Sequence, residues 1–119
     1  MAVVLGQRVG RVEVDGDSMR PTLHPGDRLV VVRGRRPRVG DLVTLPHPRS
    51  PQRVMVKRVV MVSGARVMVR GDNPAASTDS RSFGPVPAAS IQGRVVYRYL
   101  PEDRRGRPQR ERYPGTDVD

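Results

Sequence analysis

The chain has 119 residues, long enough for one domain with a modest core and too short for two. Apolar residues make up 36%, aromatics only 3%, and glycine and proline number 12 each, which suits a small loop-rich β domain better than a helical bundle. The absence of cysteine excludes disulfides and thiol chemistry, and the net charge of +10 raises nucleic acid or an anionic membrane as partners.

Taken in chain order, MAVVL at 1–5 is the longest apolar run and falls far short of the ~20 residues that cross a bilayer. The N-terminus does not read as a secretory leader either. Short Val-rich runs between Gly, Pro and Asp predict strands near 8–14, 28–33, 41–45, 53–62, 65–70 and 91–99. HPGD at 24–27 and RVGD at 38–41 place Gly-Asp directly before a strand, a turn signal, and Ser63-Gly64 predicts a hairpin. RGRRPR at 33–38 is the densest basic cluster and reads as a solvated loop. No segment sustains a 3.6-residue period or repeats itself. Residues 101–119 lack apolar periodicity and are expected to form a basic, disordered tail, which leaves 1–100 as the folded unit. The expected fold is all-β, a small barrel-like domain with little or no helix.

Two histidines, His24 and His47, without cysteine make a zinc site improbable, so no metal and no cofactor are expected. Scattered arginines and few aromatics for base stacking also argue against a specific nucleic-acid partner.

Of the 22 lysines and arginines, Lys57 is the only lysine. If 53–62 is a strand, Lys57 shares a face with Met55, Val59 and Met61, while Val54, Val56 and Val60 line the other. An ammonium among Met and Val is poorly solvated, which favours the neutral amine, a general base; arginine stays charged and cannot serve. A solvated surface lysine is the alternative. Upstream, VDGDSMRPTLHPGD at 14–27 delivers Ser18 at a sharp reversal after Asp15-Gly16-Asp17. An exposed hydroxyl beside free backbone N–H groups is a candidate nucleophile with an oxyanion site. The alternative is a serine that simply closes a turn.

Three ordered stretches then carry a resemblance. Ser18-Met19-Arg20-Pro21-Thr22-Leu23, with Gly16 before it and Gly26-Asp27 after it, resembles the nucleophile box of type I signal peptidases. Lys57-Arg58 resembles their general-base box, and GDNPAASTDSRSFGPVP at 71–87, continued by IQGRV at 91–95, resembles their third box. The resemblance covers roughly residues 12–99 and implies a Ser–Lys endopeptidase on an all-β scaffold. It assigns attack to Ser18 and the base role to Lys57. It implies that Ser77 orients the amine, that Asp79 and Arg81 brace their loop, and that the Ser18 N–H forms part of the oxyanion hole. Some members place a serine where Gly16 stands here, so a side-chain contribution from that position is lost. The implied partner is an extended peptide of a precursor protein, bound by β-augmentation, with Val14, Met19 and Val56 as candidate pocket walls.

Typical members are anchored by N-terminal helices, and only 17 residues precede Ser18. The compact layout is similar to the small soluble branch of nickel-type superoxide dismutase maturation proteases. The expected location is therefore cytoplasmic, or peripheral on an anionic membrane. LexA-type self-cleaving domains share a VxGxSM-like serine and a lysine but lack the PTL and GDN boxes. A nucleic-acid-binding β barrel would account for the charge and leave the lone lysine and the boxes unexplained.

Overall fold

The computed structural model describes residues 8–34 and 36–109. Seven strands form one antiparallel sheet: β1 (Val9–Glu13), β2 (Arg28–Val32), β3 (Leu42–His47), β4 (Ser50–Ser63), β5 (Arg66–Arg70), β6 (Val86–Pro87) and β7 (Gly93–Leu100). Their order across the sheet is β1-β2-β7-β3-β4-β5-β6. The one α-helix among the described residues is a single turn, α1 (Ser80–Phe83), capped by the Asp79 carboxylate on the Arg81 N–H. The all-β expectation holds. Only β6 lay outside the predicted strands, because two residues are too short to show an alternation.

The sequence explains the strands locally. β-branched valines lose little in extended backbone, and their alternation in β2 turns Leu29 and Val31 inward. The two Gly-Asp turns are built alike. In each, the aspartate accepts from the first residue's N–H (His24 or Arg38, both 2.9 Å), and its own N–H returns to that residue's carbonyl (both 3.0 Å). Gly26 and Gly40 take the positive φ that closes these turns, at 90° and 96°.

β3 lies between β4 and β7, so Leu42, Val43, Thr44 and Leu45 are all buried rather than alternating. The two sides of the sheet bury separate clusters. One gathers Met19, Leu23, Leu29, Val31, Leu42 and Val95, and the other Val43, Leu45, Met55, Val59, Val67 and Val69. Each such side chain contributes on the order of 1.5–3 kcal/mol when taken from water.

One expectation is corrected. Met61 does not share the buried face of Lys57; it is 52% exposed. The β4–β5 register shifts between Val59 and Met61, and a bulged residue there reverses the facing of everything beyond it. After β7 the described residues continue to 109. Glu102–Arg104 form a 3-10 turn, Arg98 and Gly106 exchange backbone hydrogen bonds, and Arg98 and Arg104 both reach the buried Asp27. The rest of the expected tail, 110–119, lies outside the described residues. The 33–38 segment is exposed apart from Pro37, with Arg35 outside the described residues.

Candidate active site

The segment after β1 is shaped so that Ser18 faces a cavity while its neighbours are anchored. Val14 still pairs with the 24–27 turn, donating to Asp27 and accepting from Gly26 (both 2.8 Å). Gly16, at φ 82°, then reverses the chain. Met19 and Leu23 are fully buried and joined by the Leu23 N–H to Met19 carbonyl bond (2.9 Å), which leaves Ser18 half-buried between them and the turn.

A second loop clamps this elbow. Asn73 donates its backbone N–H to the Ser18 carbonyl (2.9 Å) and its side-chain amide to the Asp17 carbonyl (3.1 Å). Gly71 permits the approach: a Cβ there would stand 2.6 Å from the Ser18 carbonyl oxygen and 2.3 Å from the Ser77 hydroxyl. Among the described residues the Ser18 N–H has no protein acceptor.

Lys57 comes in from β4, only 4% exposed. Its amine donates to Ser77 Oγ (3.0 Å), Ser77 donates to Asp79 (2.8 Å), and Asp79 is held by two guanidinium bonds from Arg81 (3.0 and 2.9 Å) and by the N–H groups of Gly71 and Arg81. Burial pulls the Lys57 amine down from 10.5 to about 8; Asp79 opposes this, and the positive charges of Arg81 and Arg53 assist it. Burial by itself would raise the Asp79 carboxyl, but the hydrogen bonds from Arg81, Gly71 and Ser77 outweigh it and hold the group at about 2. The carboxylate therefore stays ionised beside an amine that gives up its proton far more readily than an ordinary lysine.

Ser18 and Lys57 line one cavity of about 400 Å³. The amine's hydrogen bond goes to Ser77, and Ser18 lines the same cavity without a hydrogen bond to the amine. Val14, Met19 and Val56 line this cavity and also pack in the first core cluster, so each serves both as wall and as core. Gly16 lines it as well, while Ser77, Asp79 and Arg81 stand behind the lysine. Pairing with β5 begins only at Arg58, so on that side the backbone of 54–57 has no strand partner among the described residues.

Several contributors were missed from sequence. Asn73 clamps the elbow, and Arg53, His47, Ala76 and Thr78 line the cavity. Arg58, wholly buried, forks onto the equally buried Asp72 (3.2 and 2.6 Å), and Thr22 donates to the same carboxylate (2.5 Å). The boxes thus meet through Asp72 as well as through Ser77. The juxtaposition of Arg58 with Lys57, and of Asp72 with Gly71, was the available signal. Among the described residues no group of three or more His, Cys, Asp or Glu side chains is placed to hold a metal, and no helix is long and apolar enough to cross a membrane.

An antiparallel β domain whose cleft joins a hydroxyl, a dry amine and an open strand edge is of the peptide-handling class. The sequence matches the family described as signal peptidase, peptidase S26, over residues 1–73 and 62–100. Among curated relatives, the Arabidopsis thaliana mitochondrial ATP-independent inner membrane protease subunit 1b is 36% identical, the match covering 72% of this chain and 67% of the relative. Mouse mitochondrial inner membrane protease subunit 2 is 30% identical over 87% of this chain and 75% of its own. The Schizosaccharomyces pombe subunit 1 is 33% identical over 72% and 70%. The chain belongs to the signal peptidase family and is a serine peptidase.

Proposed function

We propose that Ser18 and Lys57 form a Ser–Lys dyad that removes an N-terminal leader or signal segment from a precursor protein. The observation that carries this reading is a buried amine, at about 8, in the same cavity as the Ser18 hydroxyl. At pH 7 about one amine in ten is then neutral, against roughly one in 2,500 for an ordinary lysine.

The steps follow from the geometry. An extended peptide adds to the open edge of 54–57, which brings its scissile carbonyl over Ser18. The neutral amine takes the Ser18 proton as Oγ attacks the carbonyl carbon. The Ser18 N–H supports the developing oxyanion, and Gly16 contributes only backbone. The ammonium returns its proton to the departing amine nitrogen, leaving an acyl ester on Ser18. Lys57 then takes a proton from a water that attacks the ester carbon, the bond to Oγ breaks to release the acid, and the ammonium returns that proton to Oγ. Ser77 acts as a positioning residue. Because its O–H is committed to Asp79, it can only accept from the amine, which turns the nitrogen lone pair elsewhere. Asp79 and Arg81 fix that proton's direction.

The family assignment favours cutting of a separate precursor over LexA-type self-cleavage. The relatives' names place those proteins at an inner membrane, and the +10 charge of this chain supports peripheral contact with anionic lipid. Ser18→Ala and Lys57→Arg should both abolish cleavage of a peptide substrate while circular dichroism stays that of wild type. Wild-type turnover in either variant would overturn the dyad.

A further inference from the structure

We propose that Arg53 is a specificity-determining residue that selects a precursor segment carrying an acidic side chain within about four residues of the cut. The inference rests on the peptidase reading and adds a charge class to its substrate.

The cavity is electrically divided. Its wall on the segment entering the serine elbow carries Glu13, Asp15 and Asp17, while Arg53 and His47 stand on the wall formed by β3 and β4. The acidic wall is largely neutralised from within: Asp17 is held by Arg20 at 2.6 Å, and Glu13 lies 3.6 Å from Arg28. Arg53 is exposed and, among the described residues, forms no ion pair or hydrogen bond. Its charge nonetheless reaches the site, because it helps hold the Lys57 amine down.

The backbone explains why Arg53 turns into the cleft. Pro46 pairs with Val54 and His47 with Ser50, so Pro51, Gln52 and Arg53 have no partner on β3. A bulge of this kind re-aims side chains, and such bulges gather beside active sites. Arg53 precedes Lys57 by four residues on the strand that is open to added peptide. At ~3.3 Å per residue this is about 13 Å, and an extended substrate beside it advances at the same rate. A guanidinium with no internal acceptor then faces the substrate about four residues from the scissile bond. A substrate carboxylate would give it a charge-assisted, forked partner, and a substrate lysine would meet like charge.

The test uses decapeptides with alanine around a central bond, identical except for Glu, Gln or Lys at one position moved through four places on either side. Cleavage is read by mass spectrometry as kcat/KM. Wild-type protein should cut the Glu peptide about three- to tenfold faster than the Lys peptide at one or two positions, with the Gln peptide between them. The preference should shrink in 1 M salt, where charges are screened beyond ~3 Å. Arg53→Gln should erase the discrimination and Arg53→Glu should reverse it. If wild type cuts all three peptides alike, or if Arg53→Glu retains the wild-type order, this inference is wrong while the peptidase reading stands. If no peptide is cut by any form, the reading beneath it falls as well.

Discussion

Lys57 and Arg58 are consecutive residues on β4, facing opposite sides of the sheet, and both are out of water at 4% and 0% exposure. Their surroundings differ in kind. Arg58 meets a carboxylate directly, two bonds to Asp72, and its Nη1 donates to the carbonyls of Gly40 (3.0 Å) and Gln109 (2.8 Å). Lys57 meets a neutral hydroxyl, and the carboxylate behind it, Asp79, is already claimed by Arg81. One site supplies full compensation and keeps a permanent charge. The other withholds it, so burial prevails and the amine is pulled down from 10.5 to about 8. A single strand thus carries a fixed cation and a titratable amine side by side, and arginine and lysine are not exchangeable between them.

Four variants break or sharpen that contrast. The largest effect belongs to Lys57→Met, which should lower kcat/KM by at least the ~10²–10⁴-fold that a positioned general base contributes. Its fold should persist, because the group removed is one whose charge burial opposes. The sign with pH follows. The folded group titrates at about 8 and the unfolded one at 10.5, so between these values the unfolded chain holds the extra proton. Wild-type stability should rise over that interval, and Lys57→Met should lack the rise in urea unfolding. Asp72→Asn is the converse, leaving Arg58 buried without its counter-charge at a cost of about 3–5 kcal/mol. If urea unfolding shows Lys57→Met losing as much as Asp72→Asn, the contrast fails.

Gly71→Ala is expected next, costing about 1–3 kcal/mol as the added methyl forces Ser77 and the Ser18 backbone apart. It should lower kcat beyond what the stability loss explains, measured at a temperature where the variant is fully folded. Arg81→Gln should have the smallest effect. It removes a positive charge that depresses the amine, so the limb of the pH–rate profile that rises as Lys57 loses its proton should move to higher pH. A shift to lower pH would mean that the loosened Asp79 loop dominates.

The sequence was most readable where one residue type had no substitute. A lone lysine among arginines and a serine set between Gly16 and Pro21 stood out, and the alternation of β4 placed Lys57 with Met55 and Val59. The same alternation failed for Met61, because a bulge follows from pairing with β5 and leaves no mark in composition. Arg58 looked like any other arginine; its burial depends on Asp72 arriving from a loop 14 residues on. The contacts that follow β7 were illegible for a related reason. Residues 101–106 are tied down by arginines converging on Asp27 and by a backbone bridge, which hydrophobic periodicity does not detect.

Because the chain contains one lysine, protein labelled with ¹³C,¹⁵N-lysine gives a single side-chain amine signal, and its titration reads the central group without ambiguity. The account predicts a midpoint near 8 in the folded protein, moving toward 10.5 in urea. A folded-state midpoint at or above 10 would contradict it, since the amine would then be a solvated ammonium and no base at neutral pH.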